Sequence, residues 1–316
     1  MPPSLPTHTG VSFTPTIHSS IPPNIDPSRV TLSHPFVVVV TGAGKGLGWH
    51  ISLAFAKAGA SGISISSRTS GDLDALEKEI RKSEESVEGL EREVRENTRA
   101  RTRESADTGF HSRWGRVDVV IANAGIISKY VERPKTSNSN NGAIESNLPI
   151  GIIEDTDWAR VLDINLLGVW RISKAFMPLL SATPTGAQTL ICSTSLSSHG
   201  TSSAVTPIAY NVSKIACNRL IEHIAADHGD EGIHAYALHP GAVLTPQTQA
   251  HAGPVWESGL LSDDEGLAGA FCVWLGREKR GWLSGRYLSC TWDVEELEGM
   301  REEIVKGDKL VFRMVV

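Results

Sequence analysis

The sequence predicts an α/β fold: a doubly wound parallel sheet in a single domain over residues 35–316, preceded by an extended tail over residues 1–34. Three observations carry that expectation. Short apolar, β-branched runs alternate along the chain with segments of helical spacing. A glycine-rich turn separates the first such run from the first helical segment. A chain of 316 residues, 40% hydrophobic and 21% charged, can bury one full core without a second domain.

Each element follows from local pattern. Residues 1–34 hold seven of the sixteen prolines and no regular apolar period, which gives the extended tail. Phe36–Val40 is a β-branched run suited to a buried parallel strand. Further strands are expected at Gly62–Ser67, Val117–Ala122, Thr189–Ser193, His234–Leu238 and Arg286–Ser289, with helices over 47–58, 157–180, 208–228 and 263–275 between them. The polar stretch 134–147 reads as a surface insertion.

Composition narrows the partners. A formal charge of −6 argues against nucleic acid or an anionic membrane. No run approaches the roughly 18 apolar residues of a membrane span, and the first residues lack a signal-peptide core. Cys192, Cys217, Cys272 and Cys290 have no metal-ligand spacing, consistent with reduced thiols in the cytoplasm. Glu222-His223 with Asp227-His228 reads as a solvated helix face, so no metal is expected. Asn211-Val212-Ser213 matches a glycosylation sequon but falls inside a helix, and the eight tryptophans form no stacking ladder.

The first strand runs into Thr41-Gly42-Ala43-Gly44-Lys45-Gly46-Leu47-Gly48. Glycines let a backbone turn tightly and approach a pyrophosphate, whose charge then rests on a helix N-terminus. No Gly-Lys-Ser/Thr follows, which excludes a Walker-type site. An acidic residue closing the second strand would bind a ribose 2′-hydroxyl and repel a 2′-phosphate. Here that strand closes on Ser66-Ser67-Arg68, with Lys45 in the glycine turn. The two cations favour NADP over NAD; the competing interpretation makes Arg68 a solvated surface charge.

Tyr210 and Lys214 stand four residues apart, neighbours across one helical turn. A free tyrosine, pKa ~10, is poorly matched to proton transfer at neutral pH. A cation ~4 Å away at an effective dielectric of ~20 is worth roughly 4 kcal/mol, about three pK units. The glycine turn, Asn123-Ala124-Gly125, Asn165, the serine-rich segment before Tyr210 and Pro240-Gly241-Ala242-Val243-Leu244-Thr245 together resemble the short-chain dehydrogenase/reductase family over roughly residues 36–290. Ile21–Asp26 and the segment from Gly285 to Leu297 resemble a fungal branch of it.

The resemblance implies a Rossmann-like oxidoreductase interconverting a small-molecule carbonyl and alcohol, with secondary metabolism as the setting and room for a homo-oligomer. Tyr210 would be the acid/base, Lys214 would lower its pKa and hold the nicotinamide ribose, and Asn165 would order a relay water. Gly42, Lys45, Gly46, Leu47, Gly48, Arg68, Asn123, Ala124, Gly125, Val243 and Thr245 would hold the cofactor. The substrate-binding serine stays open: the strand end selects Ser195, whereas the family's usual spacing to the tyrosine selects Ser197. Strand position favours Ser195.

One departure stands out. Between Arg68 and Gly115 the family places a third strand and an adenine-binding aspartate, yet no β-branched run exists here. Leu73, Leu76, Ile80, Val87, Leu90 and Val94 follow helical spacing, and Glu84–Leu90 resembles the start of the helix after the absent strand. The expectation is therefore a six-stranded sheet, order 2-1-4-5-6-7 in family numbering, with residues 70–103 mainly helical and the adenine pocket incomplete. A natural deletion and a damaged gene model would leave the same sequence. A (3R)-hydroxyacyl thioester dehydrogenase and a catalytically weak nucleotide-binding or interaction protein are the alternative functions.

Overall fold

The computed structural model describes residues 9–84, 93–96, 114–129, 150, 154–201, 203, 206–250, 259 and 261–314. The insertion expected over 134–147 lies outside them. The strands are β1 (Val37–Thr41), β2 (Gly62–Ser66), β3 (Glu93–Glu96), β4 (Val119–Ala122), β5 (Thr189–Ser193), β6 (His234–His239) and β7 (Tyr287–Ser289). They form one sheet in the order β3-β2-β1-β4-β5-β6-β7, parallel at every pairing.

Between them run α1 (Gly46–Lys57), α2 (Ser70–Glu84), α3 (Trp158–Leu162), α4 (Gly168–Ser181), α5 (Ile208–His228), α6 (Pro246–Ala250) and α7 (Leu267–Gly276). Two short helices, α8 (Val294–Gly299) and α9 (Arg301–Lys306), follow β7. A strand buried on both faces needs apolar side chains on both, which is why β1 is a continuous valine run. Val38 and Val40 enter a core shared with Ile51 and Phe55 of α1 and Phe271 of α7. Val37 and Val39 enter the opposite core, with Phe176 of α4 and Ile221 of α5.

The expected six-stranded sheet is corrected here. β3 pairs with β2 from Gly62↔Glu93 to Ile65↔Glu96, so β2 is not an edge. The sequence rule failed because a buried strand needs an apolar run, whereas an edge strand pairs on one side only, through its backbone. Glu-Val-Arg-Glu satisfies that requirement with one apolar residue in four. Residues 70–84 are helical as expected; 85–92 and 97–103 lie outside the described residues, as does any adenine-contacting group between β3 and Trp114.

The long helix expected over 157–180 is α3 and α4 joined by a π-turn, Asp163–Leu167. Residues 9–34 contain one short 3-10 turn, Pro27–Arg29, and lie against the segment after β7. Ile17 bridges Trp292, whose indole N–H donates to Gly10 O (2.9 Å), and Ile25 is fully buried. Among the described residues no helix is long and apolar enough to cross a membrane.

Candidate active site

The glycine turn is tightened by its neighbours. Gly42 (φ +67°) and Gly46 (φ +56°) occupy the left-handed region that side chains disfavour. A Cβ on Gly42 would lie 2.9 Å from Ala124 Cα, and one on Gly48 only 2.3 Å from Gly42 O. Gly44 lies against Ser67: an added Cβ would meet its Oγ at 2.5 Å. The turn therefore packs onto the ends of β2 and β4 and delivers the N-terminus of α1, with Leu47 in its first turn, beside Thr245. A cavity of about 430 Å³ stands there, lined by Gly44, Lys45, Gly46, Asp72, Val243, Thr245 and others. The glycine backbone at the start of α1 fits a dinucleotide's pyrophosphate.

Asn123 locks the strand ends together. Its Nδ2 donates to Thr41 O (3.1 Å) and its Oδ1 accepts from Ser193 Oγ (3.1 Å). The Thr41 hydroxyl accepts from Asn123 N and Ala124 N (3.0 and 3.1 Å). On the far wall, Thr248 ties the Val243–Thr245 loop, accepting from Thr245 N at 2.7 Å. Val243 and Thr245 are both buried.

In the cavity wall, Lys45 Nζ lies 3.3 Å from Asp72 Oδ2, a partner that sequence reasoning missed. Arg68 is exposed and makes no ion pair among the described residues.

The second group converges beside Gly125. From the position of a Cβ on Gly125, Asn165 Oδ1 would be 3.4 Å away and Lys214 Nζ 3.6 Å. Lys214 is buried, donates to Ser193 O at 2.7 Å, and has its ammonium 5.5 Å from the Tyr210 ring centroid. Burial works against that charge, but Tyr210, Cys217 and Cys192 outweigh it and hold the Lys214 pKa above the ordinary lysine range. Tyr210 is half-buried one turn earlier on α5.

Asn165 sits in the π-turn, where it accepts from Ile126 N (2.8 Å) and donates to Ile126 O (2.9 Å) and Ser213 Oγ (3.0 Å). The Cys217 thiol donates to its backbone carbonyl at 3.1 Å.

The serine segment follows β5. Ser195 is extended (φ −162°) and its Oγ accepts from Ser197 N at 3.1 Å, capping the short turn Leu196–His199. Ser197 is half-exposed within that turn. His239 Nδ1 accepts from Leu196 N (3.2 Å), and Asn218 Nδ2 donates to Ser198 Oγ (2.9 Å), so the segment is held by both β6 and α5. Gln247 of α6 crosses to the β4 side: in the orientation that satisfies both partners, its amide donates to Gly125 O (3.2 Å) and accepts from Ile127 N (2.8 Å). His239 and Gln247 carry no sequence motif; their partners are at least 43 residues away.

The structure thus brings two groups of the expected residues together: the glycine turn with Val243 and Thr245, and Tyr210 and Lys214 with Asn165.

Comparison with known proteins places the chain in a family. A family model described as short chain dehydrogenase matches residues 36–253. The chain is 35% identical to "Short chain dehydrogenase pgmD" of Aspergillus terreus, covering 98% of this chain and 96% of that one. It is 32% identical to "Short chain dehydrogenase pigC" of Monascus ruber, covering 96% and 93%. The crystal structure of a short-chain type dehydrogenase/reductase from Mycobacterium marinum superposes with a TM-score of 0.65 at 21% identity, over 82% of this chain and 94% of that one.

Proposed function

The chain belongs to the short-chain dehydrogenase family, in a branch it shares with fungal members, and on that premise we propose that it interconverts a ketone and a secondary alcohol using NADP(H). That it is an oxidoreductase follows from the family. The cofactor's phosphate form, the substrate class and the residue roles are our reading.

In this reading the nicotinamide of the bound dinucleotide supplies or accepts the hydride. Gly42, Gly46, Leu47 and Gly48 present backbone to the pyrophosphate at the start of α1, and Val243 and Thr245 close over the nicotinamide half. Asn123 holds the strand ends that support it, and Lys45 and Arg68 face the 2′-phosphate. The Tyr210 hydroxyl moves the proton to or from the substrate oxygen. Lys214, fixed by Ser193 O, keeps a positive charge beside that hydroxyl and reaches the nicotinamide ribose. Ser195 orients the substrate oxygen through its hydroxyl, and Asn165 orders a water in the proton path. The four buried thiols are consistent with a cytoplasmic setting.

The observation that carries the reading is the meeting of Asn165 Oδ1 and Lys214 Nζ at Gly125, with the glycine cradle on the same end of the sheet. The test is Tyr210→Phe, assayed by NADPH consumption over a ketone panel and by NADPH and NADH titration of both proteins. General acid–base catalysis typically contributes about 10²–10⁴-fold, so turnover should fall by that order while NADPH affinity stays near wild type. Turnover within a few-fold of wild type would remove Tyr210 from the chemistry; tighter NADH than NADPH binding would overturn the cofactor.

A further inference from the structure

We propose that Asp72 sets how strongly this chain prefers a 2′-phosphorylated dinucleotide, by competing with the phosphate for the Lys45 ammonium. The inference rests on the cofactor reading above and assigns a role to a residue outside the glycine motif. Lys45 Nζ and Asp72 Oδ2 are 3.3 Å apart, and both side chains line the cavity that opens on the glycine turn. Asp72 is pressed against the turn: a Cβ on Gly44 would lie 3.0 Å from Asp72 Cβ and 2.5 Å from Ser67 Oγ. The carboxylate thus stands between the end of β2, the glycine turn and the first turn of α2.

Lysine is a compact, freely turning point charge, and a phosphate and a carboxylate make similar demands on it. A 2′-phosphate arriving at Lys45 has to displace or share Asp72, and it also meets that residue's negative charge. A dinucleotide ending in a 2′-hydroxyl meets neither cost. Arg68, without an ion pair among the described residues, is left as the stronger reader of the phosphate, with Lys45 attenuated. Since Lys45 is 64% exposed and Asp72 23%, the competition is that of a pair screened by solvent on the lysine side. Exposed ion pairs of this kind shift equilibria by about fivefold at most.

An acidic residue in the first turn of a helix also favours helix formation by itself. The experiment separates that role from the one proposed. Dissociation constants for NADP⁺ and NAD⁺ are measured on the full chain for wild type, Asp72→Asn, Lys45→Ala and the double variant. Asp72→Asn should bind NADP⁺ about two- to fivefold more tightly, with NAD⁺ changed less than about twofold, and the gain should shrink in the Lys45→Ala background.

Unchanged or weaker NADP⁺ binding in Asp72→Asn overturns the proposal. So does equal tightening for both nucleotides, or a gain undiminished without Lys45. Should Asp72→Asn not fold, Asp72→Ser supplies the same comparison. The ratio of the two nucleotides in wild type judges the cofactor reading, and the change in that ratio on substitution judges Asp72.

Discussion

Acid should loosen this protein through His239, and the size of the effect follows from its surroundings. The ring closes β6 and its Nδ1 accepts from Leu196 N, so the folded state holds the imidazole neutral. Burial first, and then His199, push its pKa down to about 4. In the unfolded chain it sits near ~6.5. Between those values the unfolded state binds a proton that the folded state refuses, so stability rises with pH and is lost as pH falls from about 6.5 toward about 4. At pH 5.0 linkage gives a loss of at most about 2 kcal/mol, an upper figure because the residue is partly open to solvent.

The perturbation is His239→Asn, whose side-chain carbonyl can still accept from Leu196 N but cannot titrate. Urea unfolding at pH 7.5 and pH 5.0 should show wild type losing more than the variant between the two conditions, by up to about 2 kcal/mol. Equal losses in both proteins would refute the assignment. Because Leu196 directly follows Ser195, the same proton should also lower turnover per folded molecule in wild type and spare the variant.

Two further outcomes are expected. Gly48→Ala places a methyl 2.3 Å from Gly42 O and 2.7 Å from Asn123 Nδ2, backbone and a locked amide that cannot give way. Overpacking of that kind costs about 1–3 kcal/mol, and dinucleotide affinity measured by titration should fall about tenfold or more; unchanged affinity would remove the glycine turn from the cofactor site. Asp293→Ala removes the acceptor for Glu295 N and Glu296 N at the start of α8 and the partner of His18. Loss of the cap alone is worth about 1 kcal/mol, so Tm should drop by about 2–4 °C, and proteolysis should cut the segment before Pro27 faster; an unmoved Tm would show that neither bond contributes.

What the sequence made legible is local. The valine run of β1 and the glycines after it announce strand, turn and helix because each demand, two buried faces and left-handed backbone, falls on consecutive residues. Tyr210 and Lys214 are legible because one helical turn joins them. β3 was missed because its only requirement is a backbone ladder to β2, which polar residues meet as well as apolar ones. The π-turn at Asp163–Leu167 was read as uninterrupted helix, since one extra residue in a turn scarcely disturbs apolar spacing. Asp72, His239 and Gln247 act through partners far along the chain, which no single-sequence pattern pairs with them.

The docking of residues 9–34 has a consequence for assembly. His18 meets Asp293 across 275 positions, Thr16 meets Glu296 across 280, and Trp292 meets Gly10 across 282. Contacts this distant close very large loops, and their entropy is lost before they return anything. On a ribosome residues 9–34 emerge long before residues 292–296 and wait without those partners until they have been made. The ladder β1 to β6 can form during that wait, whereas Trp292 gains its cover only when these two segments find each other. Folding should therefore finish in a late, separate phase, visible as tryptophan burial that lags behind the sheet.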